Sequence, residues 1–321
     1  LGRSRHRRRD RYWQLYDFSH SRELAEAVDG LVRLADEAGD PWPKPKRGRP
    51  AVHSPRKMAV ICVLTVILGL SYRNMESLLH MLKLPWPWER VPDHSTIHEA
   101  FKDISEAYLN RLLEKSAGLC VAEACWRRGI VASDSTGVET DRYETVEVKM
   151  KKVKRRISIK YHVTAILDYN IIMAAKITSR RTADSPTLRL MLKDLPQMEG
   201  SIFNADKAYD SDMNCMLIYA KGMKPNIKQR EKEGTNRGLR FRRRAAKEFN
   251  DDVYRYRGLV EGIFGAEESE HGLKTRCRLR TTQRRWGLAR AIGHNITVIN
   301  RLRCAKQLNI ELKPILPDAE A

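Results

Sequence analysis

Two short stretches decide the fold: Gly129-Ile130-Val131-Ala132-Ser133-Asp134-Ser135-Thr136 and Ser201-Ile202-Phe203-Asn204-Ala205-Asp206. Each is an apolar run closed by an aspartate. Short apolar runs bounded by polar turn residues read as buried strands. A carboxylate at the end of such a strand is held by the sheet yet opens onto a cleft. Between them, Ile157, Ile159, Tyr161 and Val163 alternate with Ser158, Lys160, His162 and Thr164, the period of a strand. Residues 171–177 form another, reached through the turn Asp168-Tyr169-Asn170. Residues 188–195 and 212–221 read as helices and 223–227 as a strand, and strands interleaved with helices predict an α/β domain.

A third acidic stretch completes the pattern. In Tyr254-x-x-Arg257-x-x-x-Glu261 the spacings of three and four put the named side chains on one helical stripe. Val253, Tyr256, Val260, Ile263 and Phe264 form a separate apolar stripe. Gly258, Gly262 and Gly265 fall on a third side, where each costs about 1 kcal/mol relative to alanine and leaves room for another backbone, such as a phosphate chain. On spacing alone, an ordinary Arg257–Glu261 surface pair explains this stretch equally well. Clustered with Asp134 and Asp206, however, Glu261 would need protons or cations to relieve the repulsion. Hard divalent cations, Mg²⁺ or Mn²⁺, match such oxygen ligands, and two of them could serve the cleavage of a phosphodiester. Among the remaining acids, Asp210, Asp212 and Asp184 read as helix-start residues.

The charge points to the substrate. Over 321 residues, 60 Lys and Arg stand against 40 Asp and Glu, a net +20. An excess of that size calls for a polyanion, with nucleic acid ahead of an anionic membrane. The bases cluster at Lys149–Arg156, where Lys151 and Lys152 lie, at 237–247 (Arg240, Arg242, Arg243, Arg244), and at 271–303, which holds Lys274, Arg276 and Trp286 but no acid. Phosphate contact is the expectation for all three; Trp286 reads as base-stacking or as core. The most apolar segment, 58–70, is too short to span a bilayer and reads as a buried core helix. Six scattered cysteines fit neither a zinc ribbon nor a disulfide scaffold and are expected to be reduced. The opening Arg-rich run has no apolar segment behind it, so it is not a secretory signal. The start without methionine reads as trimmed or partial.

Four regions follow. Residues 1–50 form a basic arm and linker, with a helix at 22–38 (Leu24, Val28, Leu31, Val32 and Ala35 on one face) before a proline- and base-rich breaker at 40–50. Residues 51–118 read as a helical, helix-turn-helix-like DNA-binding domain: Ser54 and Pro55 start one helix, Ser71 caps a second that stops before Pro85-Trp86-Pro87, and Thr96-x-x-Glu99 has capping-box form. The catalytic domain occupies 125–305, and 306–321 form a tail.

These motifs, in this order, resemble a DDE transposase of the insertion-sequence-five-like group. Arg47-Gly48-Arg49-Pro50, Leu70-Ser71-Tyr72-Arg73 and Val91-Pro92-Asp93-His94-Ser95-Thr96-Ile97 are similar to its N-terminal region. Asp134-Ser135-Thr136, Ala205-Asp206-Lys207-Ala208-Tyr209-Asp210 and Tyr254 to Glu261 resemble its three acidic blocks. The resemblance implies an RNase H-like core, a mixed sheet flanked by helices, behind a small all-α DNA-binding domain. It implies that Asp134, Asp206 and Glu261 are the catalytic, metal-binding triad, and that Tyr254 and Arg257 belong to the clan signature. Past Glu261 the signature expects a lysine and this chain has Glu268; Lys274 or Arg276 would have to replace its DNA-end contact. The implied activity is Mg²⁺-dependent strand cleavage and transfer, in a cytoplasmic, prokaryotic, homodimeric protein acting on terminal inverted repeats and target DNA. A regulatory DNA-binding protein without catalysis and an RNase H-like nuclease are the alternatives.

Overall fold

The computed structural model describes residues 2–42, 52–82, 90–148, 151–230 and 239–315. The basic linker from residue 43 on, the Pro85-Trp86-Pro87 turn, Lys149, Arg237 and the last six residues of the tail lie outside them. Leu1–Cys125 with Leu288–Lys313 form one compact unit, and Trp126–Gly287 with Pro314–Ala321 another.

The first unit holds helices α1 (Gly2–His20), α2 (Glu23–Ala38), α3 (Pro55–Ile67), α4 (Tyr72–Met81), α5 (His94–Asp103) and α6 (Glu106–Ala124). Every residue of α3 from Met58 to Thr65 is buried, which makes it the core helix its composition predicts. Among the described residues no single helix is long and apolar enough to cross a membrane. Ser71 caps α4 through Asn74 N–H, as expected. The α5 cap is Asp93 rather than Thr96, because the Asp93 carboxylate accepts from the Thr96 N–H at 2.7 Å. On α2 the buried stripe is Ala27, Val28, Leu31, Leu34 and Ala35, with Leu24 exposed.

Two expected boundaries are displaced. Residues 1–38 are not an arm but two helices of this unit, with Leu15 of α1 buried alongside Cys304 and Ala305. Leu288 to Lys313 also belong here rather than with the sheet. The Asn295 side chain donates to Ser116 Oγ at 3.1 Å, and Arg303 and Lys306 both pair with Glu123. All six cysteines are free thiols, with Cys125 exposed.

The second unit is a mixed sheet with helices. In chain order it contains β1 (Ile130–Val148), β2 (Lys151–Ile166), β3 (Ile171–Ser179), α7 (Asp184–Asp194), β4 (Ile202–Ala205), α8 (Asp212–Ala220), β5 (Lys224–Ile227), α9 (Arg240–Lys247), α10 (Asp251–Tyr254), α11 (Leu259–His271), β6 (Lys274–Thr275) and the first turns of α12 (Arg280–Gln307). The strand order is β3-β2-β1-β4-β5, and β6 adds to β1. The β1–β2 and β2–β3 pairs are antiparallel; β4 is parallel to both β1 and β5. This is the expected mixed sheet, and its centre is covered on both faces: Tyr161 and His162, which point to opposite sides of β2, are both fully buried. Trp286 packs against Tyr161 in the core. The basic run 151–156 is not a connection but part of β2, where Lys152, Lys154 and Arg155 are exposed.

Gly129 directly precedes β1, where the chain passes against Asp168. That carboxylate accepts from Trp126 Nε1 and the Ile130 N–H, and a Cβ on Gly129 would lie 1.9 Å from its Oδ2. Gly129→Ala is therefore expected to lower stability by about 1–3 kcal/mol through overpacking, measured as a lower urea midpoint at unchanged m-value. An unshifted midpoint would show that the site can yield.

Candidate active site

The parallel ladder between β1 and β4 pairs Ile130 with Ile202, Val131 with Phe203, Ala132 with Asn204 and Ser133 with Ala205. The next position along each chain is Asp134 and Asp206, so the two carboxylates leave the sheet side by side. Asp134 does not end its strand, since β1 continues to Val148 against β2. What ends there is the contact with β4, and the cleft opens where the strands part. Each carboxylate accepts the N–H that follows it, Ser135 at 2.8 Å and Lys207 at 2.6 Å.

The third acidic stretch is tied to these strand ends by three asparagines. Asn204 donates to the Val253 carbonyl at 2.8 Å. Asn226 on β5 donates to Asn204 Oδ1 at 2.9 Å and to the Asn250 carbonyl at 3.0 Å. The Asn250 N–H returns a bond to Asn226 Oδ1, and Asn250 Oδ1 caps α10 through Val253. Asn204 and Asn226 are buried, so this amide relay sits where an unmade hydrogen bond is costly. The predicted single helix is interrupted. A 3₁₀ turn, Arg255–Gly258, separates α10 from α11. Val253, Val260, Ile263 and Phe264 are buried as expected, whereas Tyr256 is only half-buried. The three glycines 258, 262 and 265 face open space, with no atom within 4 Å of a would-be Cβ.

Arg257 joins the carboxylates. Its Nη1 donates to Asp134 Oδ2 at 3.1 Å and its Nη2 lies 3.5 Å from Glu261 Oε1. The pair that spacing alone leaves as a surface contact thus extends to the largely buried Asp134. Burial pushes the Asp134 carboxyl above its ordinary range; the Ser135 N–H and Arg257 oppose this, while Glu261 and Asp206 reinforce it. Tyr254 bonds Arg257, and its hydroxyl is also raised, first by burial and then by Asp206. Arg257 thus contacts Asp134, Glu261 and Tyr254, while Asp206 stands one position past the β1–β4 ladder, as Asp134 does.

Other groups line the same region without having been singled out from sequence. Ser135 Oγ donates to Asp184 Oδ1 at 3.3 Å, and Lys160 Nζ donates to the same oxygen at 2.8 Å. Behind them His162, fully buried, bonds Thr178 and is held neutral, its pKa lowered to about 4 chiefly by burial. Asp184 opens α7, as its position before Ser185-Pro186 suggests. Lys160 occupies a polar phase of β2, a pattern any half-exposed strand shows.

The basic residues separate. Arg240 and Arg243 are exposed on α9, and Arg244 pairs with Glu248 at 2.8 Å while lying over Tyr219. Arg242 is the correction: its side chain is 4% exposed and paired with Asp210, so it has no surface to offer a phosphate. Asp210 is correspondingly buried rather than a simple helix-start residue. Lys274 lies on β6, 3.3 Å from Asp141, and Arg276 is exposed just beyond it. Lys152 is exposed on β2; the side chain of Lys151 lies outside the described residues.

The family model described as "Transposase DDE domain" matches residues 126–296, just over half the chain. The protein belongs to that family. It is 27% identical over 156 residues to an uncharacterized protein of Aquifex aeolicus (strain VF5), a match covering 47% of each, so the chain spans about half the length of that relative. Among solved structures it is similar to the piggyBac transposase synaptic complex with hairpin DNA, at 9% identity and a TM-score of 0.40 over 90% of this chain and 74% of that one. The Mos1 transposase paired-end complex with left transposon end gives 10% identity and a TM-score of 0.23 over 68% and 79%.

The divalent ion associated with this family can be tested against the residues. Among the described residues no three His, Cys, Asp or Glu groups converge closely enough to hold a metal. The donor set nevertheless fits in kind: Asp134, Asp206 and Glu261 are hard oxygen donors, and the charges of Asp206 and Glu261 add to the raised proton affinity of Asp134, which a cation would relieve. Here Arg257 supplies that positive charge.

Because its carboxyl is raised in the folded state, Asp134 binds a proton more tightly folded than unfolded. Its ionised form costs stability above the folded value, and the cost disappears as the pH falls below the ordinary carboxylate range. Asp134→Asn is therefore expected to melt above the wild type at neutral pH, with the advantage fading on acidification. Equal melting temperatures at all pH values would contradict this electrostatic account.

Proposed function

We propose that this chain is a transposase of the insertion-sequence-five-like group, which cuts DNA at the ends of its own element and joins the freed 3′-hydroxyl to target DNA. The observation that supports this reading is the β1–β4 register, which puts Asp134 and Asp206 at adjacent positions, with Glu261 linked to Asp134 through Arg257. Asp134, Asp206 and Glu261 would hold Mg²⁺ or Mn²⁺, two ions in the full site. When bound, such ions activate a water or hydroxyl and stabilise the leaving oxygen of a phosphodiester.

The protein's own residues supply the rest. The sheet fixes the two aspartates, and the amide relay fixes the approach of the Glu261 helix. Arg257, oriented by Tyr254, offsets the charge of the carboxylates and stands ready for a phosphate oxygen. Arg240, Arg243, Arg244, Lys152, Lys274 and Arg276 take the DNA backbone, and the helical unit reads the terminal repeats of a homodimeric complex. Ordered motifs and net charge support this assignment.

The test uses a plasmid carrying the coding sequence with its genomic flanks. Asp206→Asn and Glu261→Gln are each expected to cut cleavage in Mg²⁺ or Mn²⁺ by about 100- to 1,000-fold or more, while retaining DNA binding. Binding without cleavage by the wild type would favour a regulatory protein, and cut ends without joined products a nuclease. Arg240→Gln and Arg243→Gln should each flatten the slope of log affinity against log salt by about 0.9; unchanged slopes would remove α9 from the DNA surface.

A further inference from the structure

The arginine that cannot reach solvent has a different use. Arg242 Nε donates to both oxygens of Asp210, at 2.7 and 3.0 Å, and its Nη2 donates to Asp210 Oδ2 and the Arg230 carbonyl, both at 2.8 Å. The two side chains are 4% and 1% exposed. Asp210 closes the turn that Asp206 opens: the Tyr209 N–H donates to the Asp206 carbonyl and the Asp210 N–H to that of Lys207. Arg230 holds the same turn from outside, its guanidinium donating to the carbonyls of Lys207 at 2.6 Å and Ala208 at 2.8 Å, while its own N–H donates to Asp210 at 2.9 Å. Asp212, at the start of α8, accepts the Arg242 N–H at 2.9 Å. The Asp210 carboxylate and the carbonyls of Lys207, Ala208 and Arg230 thus each accept from an arginine.

We propose that Arg242 and Asp210 are a positioning pair for the candidate active site, clasping the Asp206 turn to α9 so that Asp206 and the exposed bases of that helix meet the same DNA strand. This rests on the reading of Asp206 as a metal ligand. A guanidinium fork bound to a carboxylate in two places fixes orientation as well as distance, which a lysine or a hydrophobic contact does not. The same helix turns Arg240, Arg243 and Lys247 outward, so the clasp fastens a phosphate-facing surface to the turn that carries a catalytic carboxylate.

The experiment separates positioning from folding by replacing the whole pair. Arg242→Met alone strands a buried carboxylate and should destabilise the chain, whereas Asp210→Leu with Arg242→Met removes both charges and should restore melting temperature. Two readouts follow on the full chain: Mn²⁺ binding by electron paramagnetic resonance, with the metal alone, and cleavage of the flank-bearing plasmid. If the pair positions Asp206, the refolded double variant should bind Mn²⁺ about 10-fold more weakly and cut about 100-fold more slowly, with affinity for a plain DNA duplex unchanged. Wild-type Mn²⁺ affinity and cleavage in the double variant would reduce the pair to a folding contact and overturn the proposal. Failure of the double variant to refold moves the same readouts to Asp210→Asn, which keeps the shape and loses the charge; wild-type values there also overturn it. A wild-type chain that neither binds Mn²⁺ nor cuts defeats the reading of the site itself, and the positioning role with it.

Discussion

Four rungs of parallel backbone pairing, Ile130–Ile202 to Ser133–Ala205, are what the candidate site rests on. Two ionised aspartates repel each other, and left to side-chain forces Asp134 and Asp206 would separate. The repulsion is local, whereas the ladder is cooperative and buried, its residues Val131, Phe203 and Ala205 all fully inaccessible to solvent. The sheet therefore fixes the pair; burial raises the Asp134 carboxyl, and the charges of Glu261 and Asp206 add to the rise. Arg257 answers part of that charge. Its place between Asp134 and Glu261 makes the third acidic stretch a partner of the first, although the two are separated by more than a hundred residues of chain.

Much of this was legible beforehand, for identifiable reasons. The apolar runs 130–133 and 202–205 announce strands because both their faces are buried, and a continuous apolar stretch is the signature of that situation. The stripe Tyr254–Arg257–Glu261 survives the 3₁₀ interruption because a tighter turn changes the angular position of a side chain by only a fraction of a turn. The length of β1 was not legible. From Asp141 to Thr145 it is exposed, with Asp141, Arg142 and Glu144 among its residues, and its pairing with β2 depends on a partner stretch that reads only as a basic cluster. Arg242 was hidden for the opposite reason: inside Arg240-Phe241-Arg242-Arg243-Arg244, composition cannot tell which guanidinium turns inward. Only the position of Asp210 distinguishes it.

The boundary between the two units was misplaced on similar grounds. The C-terminal helix begins with the sheet and continues with the helical unit, the division falling at Gly287 and Leu288 within an unbroken helix. Sequence periodicity reports which face of a helix is apolar, not which core that face enters. The partners that settle it, Ser116, Glu123 and the α1 residue Leu15, lie far away in the chain.

The asparagine relay carries a chemical liability of its own. An amide is donor and acceptor at once, and each link here uses that polarity in one direction only: nitrogen toward Val253 and Asn250 carbonyls, oxygen toward N–H groups. Exchanging one amide nitrogen for oxygen, as in Asn204→Asp or Asn226→Asp, would leave the shape almost unchanged and reverse the logic, setting carboxylate lone pairs against carbonyl lone pairs beside buried side chains. The change of a single atom at Asn204 or Asn226 would thus loosen α10, and with it the segment leading to Glu261, from the strands without altering any of the three acids.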